Sequence, residues 1–122
     1  MKITISTPLN PTENSGKILN ALEKFFPMFQ FKTSKAKISG QSDQFSSLKL
    51  LQDKIVRKHI KGTVKYLLLE YRFPGGSKLM LNKQALVAGK INFVEEKYPL
   101  GNVEISIETD NLESAVDYLT GA

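Results

Sequence analysis

The chain has 122 residues, of which 41% are hydrophobic and 24% charged, and its formal net charge is +5. These values are typical of one globular domain and exclude a long disordered tract, so we expect residues 1–122 to fold as a single domain. Cysteine is absent, which excludes disulfide frameworks, thiolate catalysis and Cys-based zinc sites. The sequence shows neither a signal peptide nor an apolar run long enough to span a bilayer, which predicts a cytoplasmic protein outside the membrane.

The first elements are predicted from alternating and helical patterns. Alternation of polar and apolar residues over 2–6 predicts a strand. Asn10, as a capping residue followed by proline, predicts the start of a helix over 11–25. Two short alternating runs, at 29–31 and 36–38, are joined by polar residues and predict a hairpin.

The middle of the chain predicts more helix, and the end predicts strands and a last helix. An apolar stripe over 45–71 shifts in phase near Gly62, which fits either one bent helix or two linked helices. Further alternation predicts three strands, over 78–82, 86–95 and 102–108. Asp110 and Glu113 predict a capped terminal helix. The resulting order, β-α-β-β-α-β-β-β-α, favours an α+β fold with a largely antiparallel sheet and helices packed on one face.

The charge is unevenly distributed along the chain. Residues 32–90 contain 13 Lys or Arg against 3 Asp or Glu, whereas residues 91–122 contain 1 against 7. A basic middle indicates attraction to phosphates or another polyanion. The acidic end either neutralises this region by folding back or pairs with a second subunit.

One group of basic residues recurs at spacings of three or four in the predicted long helix. Such spacing places side chains on one helix face, where they can follow a phosphate backbone. The alternative interpretation is an ordinary solvated face. The group consists of Lys54, Arg57, Lys58, Lys61 and Lys65.

A second candidate site interrupts a run that otherwise resembles a strand. Asn82, Lys83 and Gln84 bring together two amides and a cation, and Lys90 follows closely. This set suits contacts to phosphates and base edges. The alternative is a bulge in which the amides satisfy a backbone turn.

No catalytic or metal-binding motif is evident. His59 is the only histidine and has no partner at a metal-ligand spacing, so we assign it no role. Glu95, Glu96, Glu104 and Glu108 could supply carboxylates for acid–base or metal chemistry, but alternating sites on a strand are usually its solvent face. We therefore expect a protein that is not an enzyme and that has neither a cofactor nor a metal.

Five segments carry a resemblance to archaeal uncharacterised protein family 0201, a predicted RNA-binding or exosome-subunit-like family. The resemblance covers nearly the full chain, and the middle segments are its specific part. The segments are Phe26-Pro27, Gly40 with Ser42, Leu81 to Ala85, Gly89 to Phe93, and Pro99-Leu100-Gly101. The resemblance implies an α+β fold similar to that of the 5S-RNA-binding ribosomal protein, often a dimer, with no established enzymatic activity.

The chain departs from the family pattern in its long helix, where Gln52 and Val64-Lys65 replace the usual arginines. Lys65 preserves the charge but not an arginine-specific contact. The sequence thus predicts a non-catalytic, RNA-associated domain that binds the phosphate backbone with low specificity. The alternative is an interaction module that meets an acidic protein or forms a homodimer.

Overall fold

The structure is a computed structural model that describes residues 1–95 and 101–121. In these residues, five strands form one antiparallel sheet in the order β2-β3-β1-β5-β4. The strands are β1 (Lys2–Pro8), β2 (Gln30–Thr33), β3 (Lys37–Ser42), β4 (Gly76–Asn82) and β5 (Asn102–Glu108). The helices are α1 (Ser15–Phe25), α2 (Lys49–Arg57), α3 (Lys61–Glu70), α4 (Lys83–Val87) and α5 (Leu112–Thr120), with a 3-10 turn at Phe45–Leu48. The predicted α+β architecture with an antiparallel sheet is confirmed.

The core lies on the face of the sheet that the alternating apolar residues share. Ile3 and Ile5 of β1 are opposite Ile107 and Ile105 of β5, and all four side chains are fully buried. Their neighbours along each strand are polar and partly exposed. The period of two in the sequence therefore defines the buried face.

Helix α1 begins four residues later than the sequence predicts. Asn14 is the cap, because its side chain accepts a hydrogen bond from the Lys17 backbone N–H at 3.1 Å. The predicted cap, Asn10, instead donates its backbone N–H and its side-chain amide to Oε1 of Glu13. Residues 11–13 thus form a turn that precedes the helix.

The predicted long helix consists of two linked helices, which is one of the two alternatives that the pattern allows. The break lies between α2 and α3 at residues 58–60, where His59 has a positive φ of 57°. Gly62 lies within the first turn of α3, so the phase shift begins before the glycine.

The predicted strand over 86–95 is wrong for most of its length. Residues 83–87 form α4, and only the segment after it runs along the edge of β4. There the backbone N–H of Val94 donates to the Met80 carbonyl, and the Asn82 N–H donates to the Asn92 carbonyl. Phe93 forms an isolated bridge with Leu81.

The C-terminal elements match the predicted ones closely. Strand β5 spans the predicted residues, and α5 is capped by Asn111 rather than by Asp110, since the Asn111 side chain accepts from Ser114 N–H. Pro99 and Leu100 of the family-like segments lie outside the described residues. Among the described helices, none combines the length and the apolar character that a membrane crossing requires.

Candidate nucleic-acid interface

The segment that begins at Asn82 is a strand-to-helix junction. Asn82 ends β4 and caps α4, because its side-chain oxygen accepts the backbone N–H of Ala85 at 2.8 Å. An asparagine in extended conformation before a first helical turn satisfies one of the orphan N–H groups of that turn. The side-chain oxygen of Asn82 is therefore engaged in a helix cap and not in the β-bulge that is the alternative interpretation of this segment.

Lys83 does not reach the surface. Its side chain is only 2% exposed. Its Nζ donates to the Pro8 carbonyl at 2.6 Å and to Oε1 of Glu13 at 2.9 Å. The ammonium group thus links the end of β4 to the end of β1. In this fold it is not accessible to a phosphate, which corrects the prediction that Lys83 belongs to a binding site.

The partner carboxylate, Glu13, is adapted to this environment. Burial raises the pKa of Glu13, but hydrogen bonds from Lys83 and Asn10 and the charge of Lys83 outweigh it, so the pKa is below its ordinary value of 4.5. Glu13 is therefore ionised at neutral pH. The pair is a structural salt bridge that holds the α4 junction against the turn before α1.

Gln84 and Lys90 remain exposed at this junction. Gln84 lines a cleft of about 310 Å³ together with Lys17 and Val87. Of the three adjacent residues that the sequence predicts as a site, Gln84 is exposed, Asn82 is half-buried and Lys83 is buried.

The basic residues of the predicted stripe fall into two groups because the helix divides. Lys54, Arg57 and Lys58 lie at the end of α2, whereas Lys61 and Lys65 lie on the first two turns of α3. All five are at least partly exposed. In the described part of the chain, no carboxylate forms an ion pair with any of them, while nearby Asp53 pairs with Lys49 at 3.4 Å.

Lys58 has a structural contact as well as a charge. Its Nζ donates to the Ile91 carbonyl at 2.9 Å, and Tyr71 donates its hydroxyl to the Glu95 carbonyl at 3.1 Å. These two bonds, from the end of α2 and the end of α3, hold the segment that runs along β4. Lys58 is thus less suitable than its neighbours for a mutational test of binding.

Two further lysines, which were not predicted from the sequence, line clefts beside α1. Lys24 contributes with Lys54 and Arg57 to a cleft of about 330 Å³, and both Lys17 and Lys24 line a neighbouring cleft of about 380 Å³. Lys17 and Lys24 are seven residues apart, which is close to two helical turns. This spacing was the available signal that they share one face.

The acidic end of the chain folds back onto the basic part. Strand β5 lies between β1 and β4, and Glu104 pairs with Lys78 at 3.4 Å. Among the described residues, no three His, Asp or Glu side chains come together in a group able to hold a metal ion. Glu96, one of the predicted solvent-facing carboxylates, lies outside the described residues.

The chain is similar to a set of archaeal proteins over almost its whole length. A family model described as RNA binding matches residues 2–109. UPF0201 proteins of Sulfurisphaera tokodaii and Metallosphaera sedula are 30% and 31% identical to the chain, and the matches cover 98% and 97% of it and 86% of each relative.

Solved structures show the same fold. The crystal structure of a UPF0201 protein matches with a TM-score of 0.84 at 23% identity, and that of a UPF0201 protein from Methanococcus jannaschii with 0.82 at 18%. Both matches cover 100% of this chain and 94% of the other.

Proposed function

Since the chain belongs to the UPF0201 family, whose matching model is described as RNA binding, we propose that it is a non-catalytic protein that binds RNA through its basic helical surface. This basic surface comprises Lys54, Arg57, Lys58, Lys61 and Lys65.

The observation that carries the proposal is the unneutralised charge of this surface. Between residues 49 and 72 the chain has seven Lys or Arg and two Asp or Glu, and one of those carboxylates, Asp53, already pairs with Lys49. Like charges on adjacent turns repel each other, and this repulsion is relieved when an anion binds. A phosphate backbone supplies such charge at regular intervals and releases its counterions on binding.

The composition of the surface indicates the kind of recognition. Four of its five cations are lysines, which attract phosphates as point charges and lack the planar fork with which arginine reads guanine. Because Asn82 and Lys83 are engaged in the fold, Gln84 and Lys90 are the two members of that segment left for an accessory contact. We therefore expect backbone binding with little sequence preference.

The test is fluorescence anisotropy of labelled single-stranded and structured RNAs over a salt series. Replacing Lys54, Lys61 and Lys65 together with Glu should abolish binding at low salt without unfolding the protein, since all three are at least partly exposed. Lys58 is left intact because it holds the Ile91 carbonyl.

The matched control places the same charge change elsewhere. Lys32, Lys35 and Lys37 are exposed on the β2–β3 hairpin, so their triple Glu variant has the same net charge as the test variant. If RNA binding weakened equally in both variants, the change in net charge alone would explain the effect, and the basic surface would have no specific role. Unchanged binding in the test variant, or no RNA binding by the wild type at low salt, would refute the proposal.

An exposed apolar face formed by α3 and the turn that follows it favours contact with another protein chain as a second candidate function. Tyr66, Leu69 and Phe73 retain 54%, 41% and 39% of their exposure, and Lys65 is adjacent to Tyr66. Burial of this face in a homodimer would cover part of the basic surface. Light scattering of the wild type and of a Tyr66→Ser, Leu69→Ser variant distinguishes the two: a dimer that this variant dissociates, together with no RNA binding, supports the second candidate.

A further inference from the structure

Three clefts beside α1 adjoin one another and form a single furrow. The clefts of about 330 and 380 Å³ share Lys24, Phe25 and Gly89, and the second also shares Lys17 and Val87 with the cleft of about 310 Å³. The furrow therefore runs along α1, first between α1 and α2 and then between α1 and α4. We call it the α1 furrow.

The rim of the α1 furrow is strongly basic. Lys17 and Lys24 on α1 and Lys54 and Arg57 on α2 line it. The two carboxylates among its lining residues are both in ion pairs, Asp53 with Lys49 and Glu13 with Lys83. In the described residues, the four rim cations have no carboxylate partner, so the furrow attracts anions.

Apolar side chains lie beneath the furrow, and small residues form part of its wall. Phe25 and Leu86 are nearly fully buried beneath it, and Ala88 and Gly89 form the wall at the end of α4. A Cβ atom added to Gly89 would meet nothing within 4 Å, so this wall opens to solvent. An apolar floor between basic rims suits a ligand that has both flat apolar groups and regularly spaced negative charge.

The size and the charge of the furrow indicate which nucleic acid it accepts. Each of its three clefts has a volume of about 310–380 Å³, at the lower end of pockets that take small molecules, so a cleft can take an unpaired nucleotide but not a duplex. Lys17 and Lys24 lie about 10 Å apart along the helix axis, so successive cations can contact a phosphate backbone laid along α1. Single strands bind to such grooves by combining backbone contacts with packing of the bases.

We propose that the α1 furrow binds a single RNA strand, with its phosphates along Lys17, Lys24, Lys54 and Arg57 and its bases or riboses against the apolar floor. The inference rests on the proposed function and adds to it a ligand class and two lysines of α1. It assigns the α3 lysines a secondary role, because they are not among the residues that line the furrow.

The first experiment compares a labelled oligouridine with a duplex of equal length. The Lys17→Glu, Lys24→Glu variant should bind oligouridine about tenfold more weakly than the wild type. Its salt slope should be smaller by about 1.4, because each phosphate that a protein neutralises on a single strand adds about 0.7 to the slope. The charge-matched control, Lys32→Glu with Lys35→Glu, should keep most of the affinity. The duplex should compete poorly.

A second variant fills the furrow and leaves its charge unchanged. Ala88 is exposed at the end of α4, so Ala88→Trp should be accommodated in the fold and should weaken oligouridine binding while the weak duplex binding stays the same. If binding were purely electrostatic, Ala88→Trp would leave the binding of both oligouridine and the duplex unchanged.

The possible outcomes distinguish the α1 furrow proposal from the proposed function. If the α1 double variant and Ala88→Trp both bind oligouridine as the wild type does, while the Lys54, Lys61, Lys65 triple variant does not, the furrow is refuted and the proposed function stands. If the duplex binds as well as the single strand, the ligand class is wrong. Failure of the wild type to bind any RNA at low salt removes both proposals.

Discussion

The Nζ atom of Lys83 lies 2.9 Å from Oε1 of Glu13, and the two side chains retain only 2% and 5% of their exposure. Removing one partner of a buried pair leaves an uncompensated charge inside the protein. We therefore expect Lys83→Met to lower the free energy of unfolding by about 3–5 kcal/mol, measured by urea denaturation at neutral pH.

The control for this substitution is the next residue. Gln84 is exposed, so Gln84→Met should change the stability by no more than about 0.5 kcal/mol. Equal stabilities of the two variants would show that the pair contributes nothing to the fold.

The same pair predicts how stability depends on pH. The folded protein holds the pKa of Glu13 below its ordinary value of 4.5, so the stabilisation is fully present above pH 4.5 and is lost as the pH falls through the lower, folded value. The side chain of the Glu13→Gln variant cannot ionise, and the urea midpoint of this variant should therefore fall less steeply below pH 4.5. Parallel pH profiles for the wild type and this variant would contradict the assignment.

Substitution of Asn82 tests whether this residue caps α4 or contacts RNA. Asn82→Ala removes the acceptor for the Ala85 N–H and should cost about 1 kcal/mol of stability, while RNA affinity of the folded protein stays unchanged. Gln84→Ala should have the opposite profile, with unchanged stability and weaker binding. Weaker binding at unchanged stability in Asn82→Ala would favour the RNA contact.

Two glycines should respond to alanine in opposite directions. A Cβ at Gly76 would lie 2.0 Å from the Ile107 carbonyl oxygen, so Gly76→Ala should separate β4 from β5 and reduce stability by about 3 kcal/mol or more. A Cβ at Gly62 meets nothing within 4 Å, and Gly62→Ala should stabilise α3 by up to about 1 kcal/mol. Thermal unfolding of both variants measures the two effects.

The sequence predicted those parts of the fold that depend on local pattern. Alternation in β1 and β5 and the apolar stripe of α1 are local, and the structure confirms them. The strand pattern fails at the α4 junction because Ala85 to Ala88 form an apolar run with no visible period. In this segment the Asn82 cap ends strand β4 and starts helix α4.

The candidate site was harder to predict because it depends on contacts between distant residues. Lys83 looks like an exposed cation in the sequence, and its partner Glu13 is 70 residues away. The α1 furrow brings together residues of α1, α2 and α4, which no linear pattern joins. The seven-residue spacing of Lys17 and Lys24 is the only feature of the furrow that the local sequence pattern indicates.

The bridge between Phe93 and Leu81 also affects how the sheet can meet other chains. Together with the paired hydrogen bonds between Phe73 and Gly76, it engages backbone groups along the outer edge of β4. At the opposite edge, β2 has four residues and carries Lys32. A short, charged edge strand resists the addition of a foreign strand, so both ends of the sheet are guarded against aggregation by β-strand pairing.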